Sequence, residues 1–219
     1  MKGLNYYIKE AFKLTADTKI NKLSEYHYHP KTRKELKKLI DKLIEERGDD
    51  ADLNDIDTSE ISDMNGLFDG SKFNGDISGW NVSKVENMYS MFNYCKFNGD
   101  ISQWDVSNVK NMNSMFYHSE FNEDISNWNV SKVEDMSYMF EYSKFNGDIS
   151  DWDVSNIEYT THMFKYCPLE NQPKKQPKLH GVNMSNCIFP GRSRLPQIDI
   201  SKWDASKVRN MSDLFKNVH

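Results

Sequence analysis

Apolar residues recur along the chain at an interval of 24 residues, with polar residues between them. Tryptophan and phenylalanine keep this interval most strictly. The two clearest series are Trp80, Trp104, Trp128 and Trp152, and Phe68, Phe92, Phe116, Phe140 and Phe164. A unit of this size is too small to bury its apolar face alone. The period therefore predicts that neighbouring units stack around one continuous core.

The apolar order within one unit predicts two short elements. Ile77, Trp80 and Val82 have the LxxLxL spacing, in which a short strand turns alternate side chains inward. The residues that follow have spacings of three and four, which indicates a short helix or 3₁₀ turn. They are Val85, Met88, Met91 and Phe92. The predicted fold class is an α/β repeat solenoid, a leucine-rich-repeat-like stack of short parallel strands and short helices. A parallel β-helix is the alternative.

The repeat reads Phe-Asn-x-Asp-Ile-Ser-x-Trp-x-Val-Ser-x-Val-x-x-Met-x-x-Met-Phe over about residues 52–164, and returns in part at 199–215. It resembles the BspA-like leucine-rich-repeat class of bacterial surface proteins. The resemblance implies a solenoid that binds other macromolecules and has no catalytic residues. Such proteins are often secreted or lipoprotein adhesins, and they also occur in mobile elements.

The clearest helix precedes the repeats, within an N-terminal capping region that we assign to residues 1–48. Thr32-Arg33-Lys34-Glu35 is a capping box, Gly48 is a C-cap, and an apolar stripe lies between them, so the helix is predicted at about 33–47. We expect one or two strands within the aromatic-rich residues 4–29, completing an α-helical cap for the stack.

Residues 49–219 are assigned to the repeat solenoid. Trp203 follows Trp152 by 51 residues, more than two periods, so a degenerate repeat with an insertion is predicted at 165–198. The insertion is basic, and its candidate partner-binding residues are Lys174, Lys175, Arg192 and Arg194. Insertions in solenoids map to one face and often bind partners, whereas the alternative is a tolerated surface excursion.

Charge is segregated along the chain. Residues 49–164 contain 6 Lys/Arg and 22 Asp/Glu, a net charge of −16, whereas the segments before and after carry +5 and +6. This acidic body predicts a protein partner with a basic surface and opposes direct nucleic-acid binding along the repeats. Alternatively, the acids keep a repetitive surface soluble and deter edge pairing.

Two columns of polar residues are candidates for recognition or for turn structure. The first, which we call the polar stripe, lies on the predicted strand face and comprises Asn81, Asp105, Asn129, Asp153 and Asp204, with Asp151 beside it. It is either a recognition face or a source of hydrogen bonds between repeats. The second comprises Asp76, Asp100, Asp124, Asp148 and Asp199, and we expect these carboxylates to bond to turn amides.

The sequence contains no recognisable catalytic constellation. No nucleophile, base and stabiliser converge in a motif, and no glycine-rich phosphate loop occurs. His27 and His29 have a spacing compatible with a metal, but no third ligand lies nearby. Cys95, Cys167 and Cys187 fit no metal or disulfide spacing, and we predict buried packing cysteines. We therefore expect no catalytic residues, metal or cofactor.

Three functional hypotheses follow. The first is a non-enzymatic scaffold that binds a protein partner through the solenoid face. The second is an inhibitor encoded by a phage or mobile element, whose acidic surface blocks the basic groove of a host nucleic-acid enzyme. The third is a bacterial surface adhesin. No apolar run reaches the roughly 20 residues that span a membrane, and no signal peptide is present. We expect a cytoplasmic location, or the cell surface if a leader was removed; the oligomeric state stays open.

Overall fold

The computed structural model describes residues 26–177. In this part of the chain, the one α-helix, α1, spans Arg33–Arg47, and two 3₁₀ turns span Pro168–Asn171 and Pro173–Lys175. The residues between α1 and the first 3₁₀ turn form β-turns and isolated parallel β-bridges. Most of the strand region predicted at 4–29 lies outside the described residues.

Helix α1 begins where its capping sequence places it. The Thr32 hydroxyl accepts a hydrogen bond from the Glu35 N–H at 3.2 Å, which satisfies one free amide of the first turn. Leu36, Ile40 and Leu43 are fully buried and belong to the same hydrophobic core as the repeats. The helix therefore covers apolar surface that the first repeat would otherwise expose to water.

Successive repeats are joined by backbone hydrogen bonds with a register of about one 24-residue period. Four alternate N–H groups of one repeat donate to carbonyls of the next at 2.8–2.9 Å. For one pair of repeats, the donors are Met88, Ser90, Phe92 and Tyr94, and the acceptors are Asn111, Asn113, Met115 and Tyr117. Parallel bridges at the start of this segment link Asp63, Asn87, Asn111, Asp135 and Tyr159 in order. Residues one period apart therefore lie above one another.

The local elements differ from the sequence prediction. The segment predicted as a short helix or 3₁₀ turn is a run of β-turns and not a continuous helix. The Met91 N–H donates to Met88 and the Cys95 N–H to Phe92, both at 3.2 Å, which is the i→i+3 spacing of a 3₁₀ turn. Ser90 and Tyr94 have φ values of 52° and 49°, which an α-helix does not accommodate. The intervening N–H groups donate to carbonyls of the next repeat. Hydrogen bonds between repeats therefore take the place of the hydrogen bonds that a helix would form within the segment.

The predicted strand at Ile77–Val82 is likewise absent from the described residues. Trp80 N–H donates to the Ile77 carbonyl at 3.1 Å, and Val85 N–H donates to Val82 at 2.9 Å, so this segment also turns. Parallel bridges flank this segment, at Asp76 directly before it and at Asn87 a few residues after it. The LxxLxL spacing thus correctly marks positions whose side chains face the core. These side chains are directed inward by β-turns and not by a strand.

Aromatic side chains stack through the core in register with the backbone. Phe68, Phe92, Phe116 and Phe140 lie with ring centroids 5.5–5.8 Å apart and nearly parallel planes. Each of the four tryptophans within residues 26–177 is 4% exposed, and its indole N–H donates to a carbonyl of the preceding repeat at 3.0–3.2 Å. Each tryptophan therefore packs in the core and gives a second hydrogen bond to a carbonyl of the preceding repeat that already accepts a backbone N–H.

Candidate interaction surface

The described part of the polar stripe lies on the surface. Asn81, Asp105, Asn129 and Asp153 are exposed, and each side-chain oxygen accepts the N–H of the serine two residues later at 3.1–3.2 Å. These hydrogen bonds lie within one repeat, not between repeats. Asn and Asp alternate in the column because either supplies the acceptor that the turn requires. Asp151 is exposed as well, whereas Asp204 lies outside the described residues.

A second exposed column, which we call the aspartate column, comprises Asp76, Asp100, Asp124 and Asp148. Each carboxylate accepts the N–H of a following serine at 2.8–3.0 Å, which confirms the predicted bonding to turn amides for these four residues. The hydrogen bond from the Ser102 N–H lowers the pKa of Asp100, although Asp76 and Asp124 oppose its ionisation. The column therefore stays charged at neutral pH. Asp199 lies outside the described residues.

The basic insertion is described only at its start. Lys175 Nζ donates to the Asn146 carbonyl at 3.1 Å, and the Lys175 carbonyl accepts the Ile149 N–H at 3.0 Å. Lys175 thus contacts the fifth repeat at Asn146 and Ile149. Lys174 is exposed. Arg192 and Arg194 lie outside the described residues.

Sequence reasoning missed the most distinctive surface feature, a row of stacked aromatic rings in contact with solvent. This row, which we call the tyrosine ladder, comprises Tyr94, His118, Tyr142 and Tyr166, one residue from each successive repeat. Ring centroids of successive members are 4.5, 4.3 and 4.5 Å apart, with interplanar angles of 10–29°. The three tyrosines are 55%, 44% and 53% exposed.

The side chains beside the tyrosine ladder add a further ring and a charged cluster. Tyr117 meets the His118 ring edge-on at 4.7 Å, and the Lys165 ammonium lies 4.8 Å from the Tyr166 ring centroid. The largely buried Glu141 carboxylate lies 3.7 Å from both Lys165 and His162. Tyr117 and Lys165 thus contact rings of the ladder directly, and Glu141 lies close to Lys165.

The backbone beneath the ladder is strained. All four ladder residues have positive φ values of 49–58°, a region that favours glycine and costs other residues roughly 1 kcal/mol each. The first repeat has Gly70 at the equivalent position, with φ 67°. The turn therefore does not require an aromatic ring. In the sequence, this position changes from Gly in the first repeat to Tyr or His in the later repeats. The change alone does not show that the rings stack, because stacking depends on the turn conformation.

Other candidate chemistry is accounted for by packing or by ion pairs. Cys95 and Cys167 are buried, as predicted, and burial raises the pKa of each thiol to about 11. Cys187 lies outside the described residues. His27 and His29 lie 3.5 and 3.2 Å from carboxylates of the first repeat. Within residues 26–177, no three His, Cys, Asp or Glu side chains form a group that could hold a metal ion.

The register, the buried aromatic stacks and the exposed tyrosine ladder define a tandem-repeat protein with a surface that differs from repeat to repeat. The chain belongs to the family described as "Mycoplasma protein of unknown function, DUF285", which matches residues 35–141, 101–198 and 178–219. No curated protein and no solved structure matches the chain. Over the described residues, no helix is both long enough and apolar enough to cross a membrane.

Proposed function

We propose that the protein is a non-enzymatic scaffold that binds a protein partner through the tyrosine ladder. The observation that carries this proposal is the exposure of three tyrosines to 44–55% in one continuous row. Tyrosine is enriched in protein interfaces because it offers a large rigid apolar area and a hydroxyl group at little cost in conformational entropy. Burying this row against a partner removes apolar surface from water.

The ladder contributes little that the fold needs. The core already contains continuous stacks of buried Phe and Trp rings, and the first repeat turns at Gly70 without a ring. Each aromatic ladder residue instead keeps a backbone conformation that glycine would adopt with less strain. Positive φ also occurs in the neighbouring column that begins with Ser90 and Ser114, so the turn imposes this conformation, but it does not explain why the ladder residues are aromatic.

The repeat architecture supports the same proposal. We infer a solenoid of the BspA-like leucine-rich-repeat type, supported by the 24-residue period and by one parallel bridge per repeat at Asn87 and its equivalents. Solenoids of this kind present extended surfaces to macromolecular partners. The parallel β-helix, which also stacks parallel segments, stays the alternative for the fold class.

The proposal is tested by affinity capture with the full chain. We compare the wild type with the double variant Tyr94→Gly/Tyr142→Gly, which copies Gly70 and should fold. The matched control is Asp105→Asn/Asp153→Asn, which copies Asn81 and Asn129 in the polar stripe. We expect the glycine variant to lose the partner and the asparagine variant to retain it. Equal capture by the wild type and the glycine variant contradicts the proposal.

The acidic-inhibitor hypothesis is a second candidate, and it rests on the aspartate column. Four exposed carboxylates in successive repeats match a basic groove in charge, and none of the four has an ion-pair partner within residues 26–177. This hypothesis predicts capture of a nucleic-acid enzyme that is lost in Asp100→Asn/Asp124→Asn and weakens steeply with salt. Salt-insensitive capture contradicts it.

The location is a separate proposal. We propose a cytoplasmic location for the scaffold, whereas an adhesin must be displayed at the cell surface. Labelling of intact source cells with an antibody to the chain separates the two. Surface labelling supports the adhesin, and labelling only after permeabilisation supports the cytoplasmic scaffold.

A further inference from the structure

We propose that the partner inserts an arginine side chain at Gly70, where the tyrosine ladder lacks a ring. This inference rests on the proposed scaffold function and names the chemistry of the partner. Gly70 occupies the ladder position one repeat before Tyr94, and its own repeat supplies no side chain there. The Tyr94 ring therefore has a stacked neighbour, His118, on one side only.

The space at Gly70 is open. Apart from Gly70 and its chain neighbours Asp69 and Ser71, no described residue has a heavy atom within 4 Å of the position that a Cβ on Gly70 would occupy. Tyr94 is the most exposed of the ladder tyrosines, at 55%. A planar group of about the thickness of a ring can therefore stack on the outer face of Tyr94, at the spacing of about 4.5 Å that the ladder already has.

The charge beside Gly70 favours a cation. Asp69 precedes Gly70, is exposed, and accepts a hydrogen bond from Asn93 Nδ2 at 2.9 Å. This contact places the carboxylate beside the repeat that carries Tyr94. A guanidinium group stacks on aromatic faces and bonds to carboxylates through its planar N–H groups, so arginine fits both neighbours. The net charge of −16 in residues 49–164 attracts a basic partner.

The chain supplies a precedent at its other glycine turn. Gly66 begins a parallel column that continues as Ser90, Ser114, Tyr138 and His162, all with positive φ. At Gly66, the chain's own arginine fills the space: Arg33 Nη2 lies 3.5 Å from the position that a Cβ would occupy. A guanidinium group thus already covers one of the two glycines that begin these columns.

The test uses the full chain and an acetylated, amidated Gly-Gly-Arg-Gly-Gly peptide as probe. Backbone NMR signals of residues 70 and 94 should shift and saturate at millimolar peptide. The matched peptide with citrulline, which keeps the shape but not the charge, should bind at least about fivefold more weakly. Equal binding of the arginine and citrulline peptides overturns the inference.

Two variants locate the site. Gly70→Tyr continues the ladder and should abolish the shifts, and Asp69→Asn, which copies Asn93, should weaken binding about fivefold. A folded Gly70→Tyr variant that binds the peptide as well as the wild type overturns the inference. If Gly70→Tyr retains the captured partner but Tyr94→Gly/Tyr142→Gly loses it, the arginine site is wrong and the scaffold stands. If both retain it, both proposals fail.

Discussion

Trp128 tests how strongly neighbouring repeats depend on each other. Its indole N–H donates to the Ile101 carbonyl at 3.1 Å, and its ring packs 6.4 Å from both Phe116 and Trp152. Trp128→Ala removes a buried ring, which costs about 3–5 kcal/mol. It also removes one of the two hydrogen bonds to the Ile101 carbonyl, which keeps the bond from the Trp104 N–H at 3.1 Å, and this loss adds about 0.5–1.5 kcal/mol. We therefore expect a total loss of about 3.5–6.5 kcal/mol in the free energy of unfolding.

Urea unfolding measures this loss, and Trp128→Phe is its matched control. Phenylalanine keeps most of the ring contact but loses the indole donor, so the lost hydrogen bond should cost about 0.5–1.5 kcal/mol. Native-state hydrogen exchange gives a local readout at the Phe116 N–H, which donates to Met139 in the next repeat at 3.0 Å. A loss below about 1 kcal/mol for Trp128→Ala, with unchanged exchange at Phe116, would refute the reasoning.

Three further predictions concern a glycine, a carboxylate and a thiol. Gly75→Ala places a Cβ 2.0 Å from the Ala51 carbonyl oxygen and should cost about 2–3 kcal/mol in urea unfolding. The Ser102 N–H lowers the pKa of Asp100, so this hydrogen bond stabilises the fold above the unfolded-state pKa of about 3.9 and is lost as the pH falls below it. Asp100→Ala should lower the urea midpoint at pH 7 and Asp100→Asn should not; equal midpoints at pH 7 for Asp100→Ala and the wild type contradict this. Cys95, buried and with a pKa of about 11, should resist alkylation at pH 8 until urea unfolds the chain, as peptide mass spectrometry can show.

The sequence predicted the helix and the inward-facing positions well because both depend on local chemistry and spacing. The capping box at Thr32 and the C-cap at Gly48 coincide with the ends of α1. The repeated Ile, Trp, Val and Met positions of the described repeats are buried, and two of them hold a polar residue, Thr58 in the first repeat and Thr160 in the fifth. The prediction of buried packing cysteines is confirmed at Cys95 and Cys167.

The turn conformations could not be read from spacing. Met88, Met91 and Phe92 have the intervals of a helical face, but the same intervals arise when alternate N–H groups bond within turns and to the next repeat. The choice between these patterns depends on hydrogen bonds between residues about one period apart. The ladder at Tyr94 was missed for the same reason, since its ring stacking requires the positive φ of each turn.

The measurement that tests the central claim most directly is side-chain footprinting of the chain with its captured partner bound. Hydroxyl-radical labelling reports the solvent exposure of Tyr94, Tyr142 and Tyr166, and Tyr159, which is 46% exposed but lies outside the ladder, is the internal control. We predict that binding protects the three ladder tyrosines and leaves Tyr159 unchanged. Unchanged labelling of the ladder, with protection of the carboxylates of Asp100 and Asp124 instead, would contradict the account.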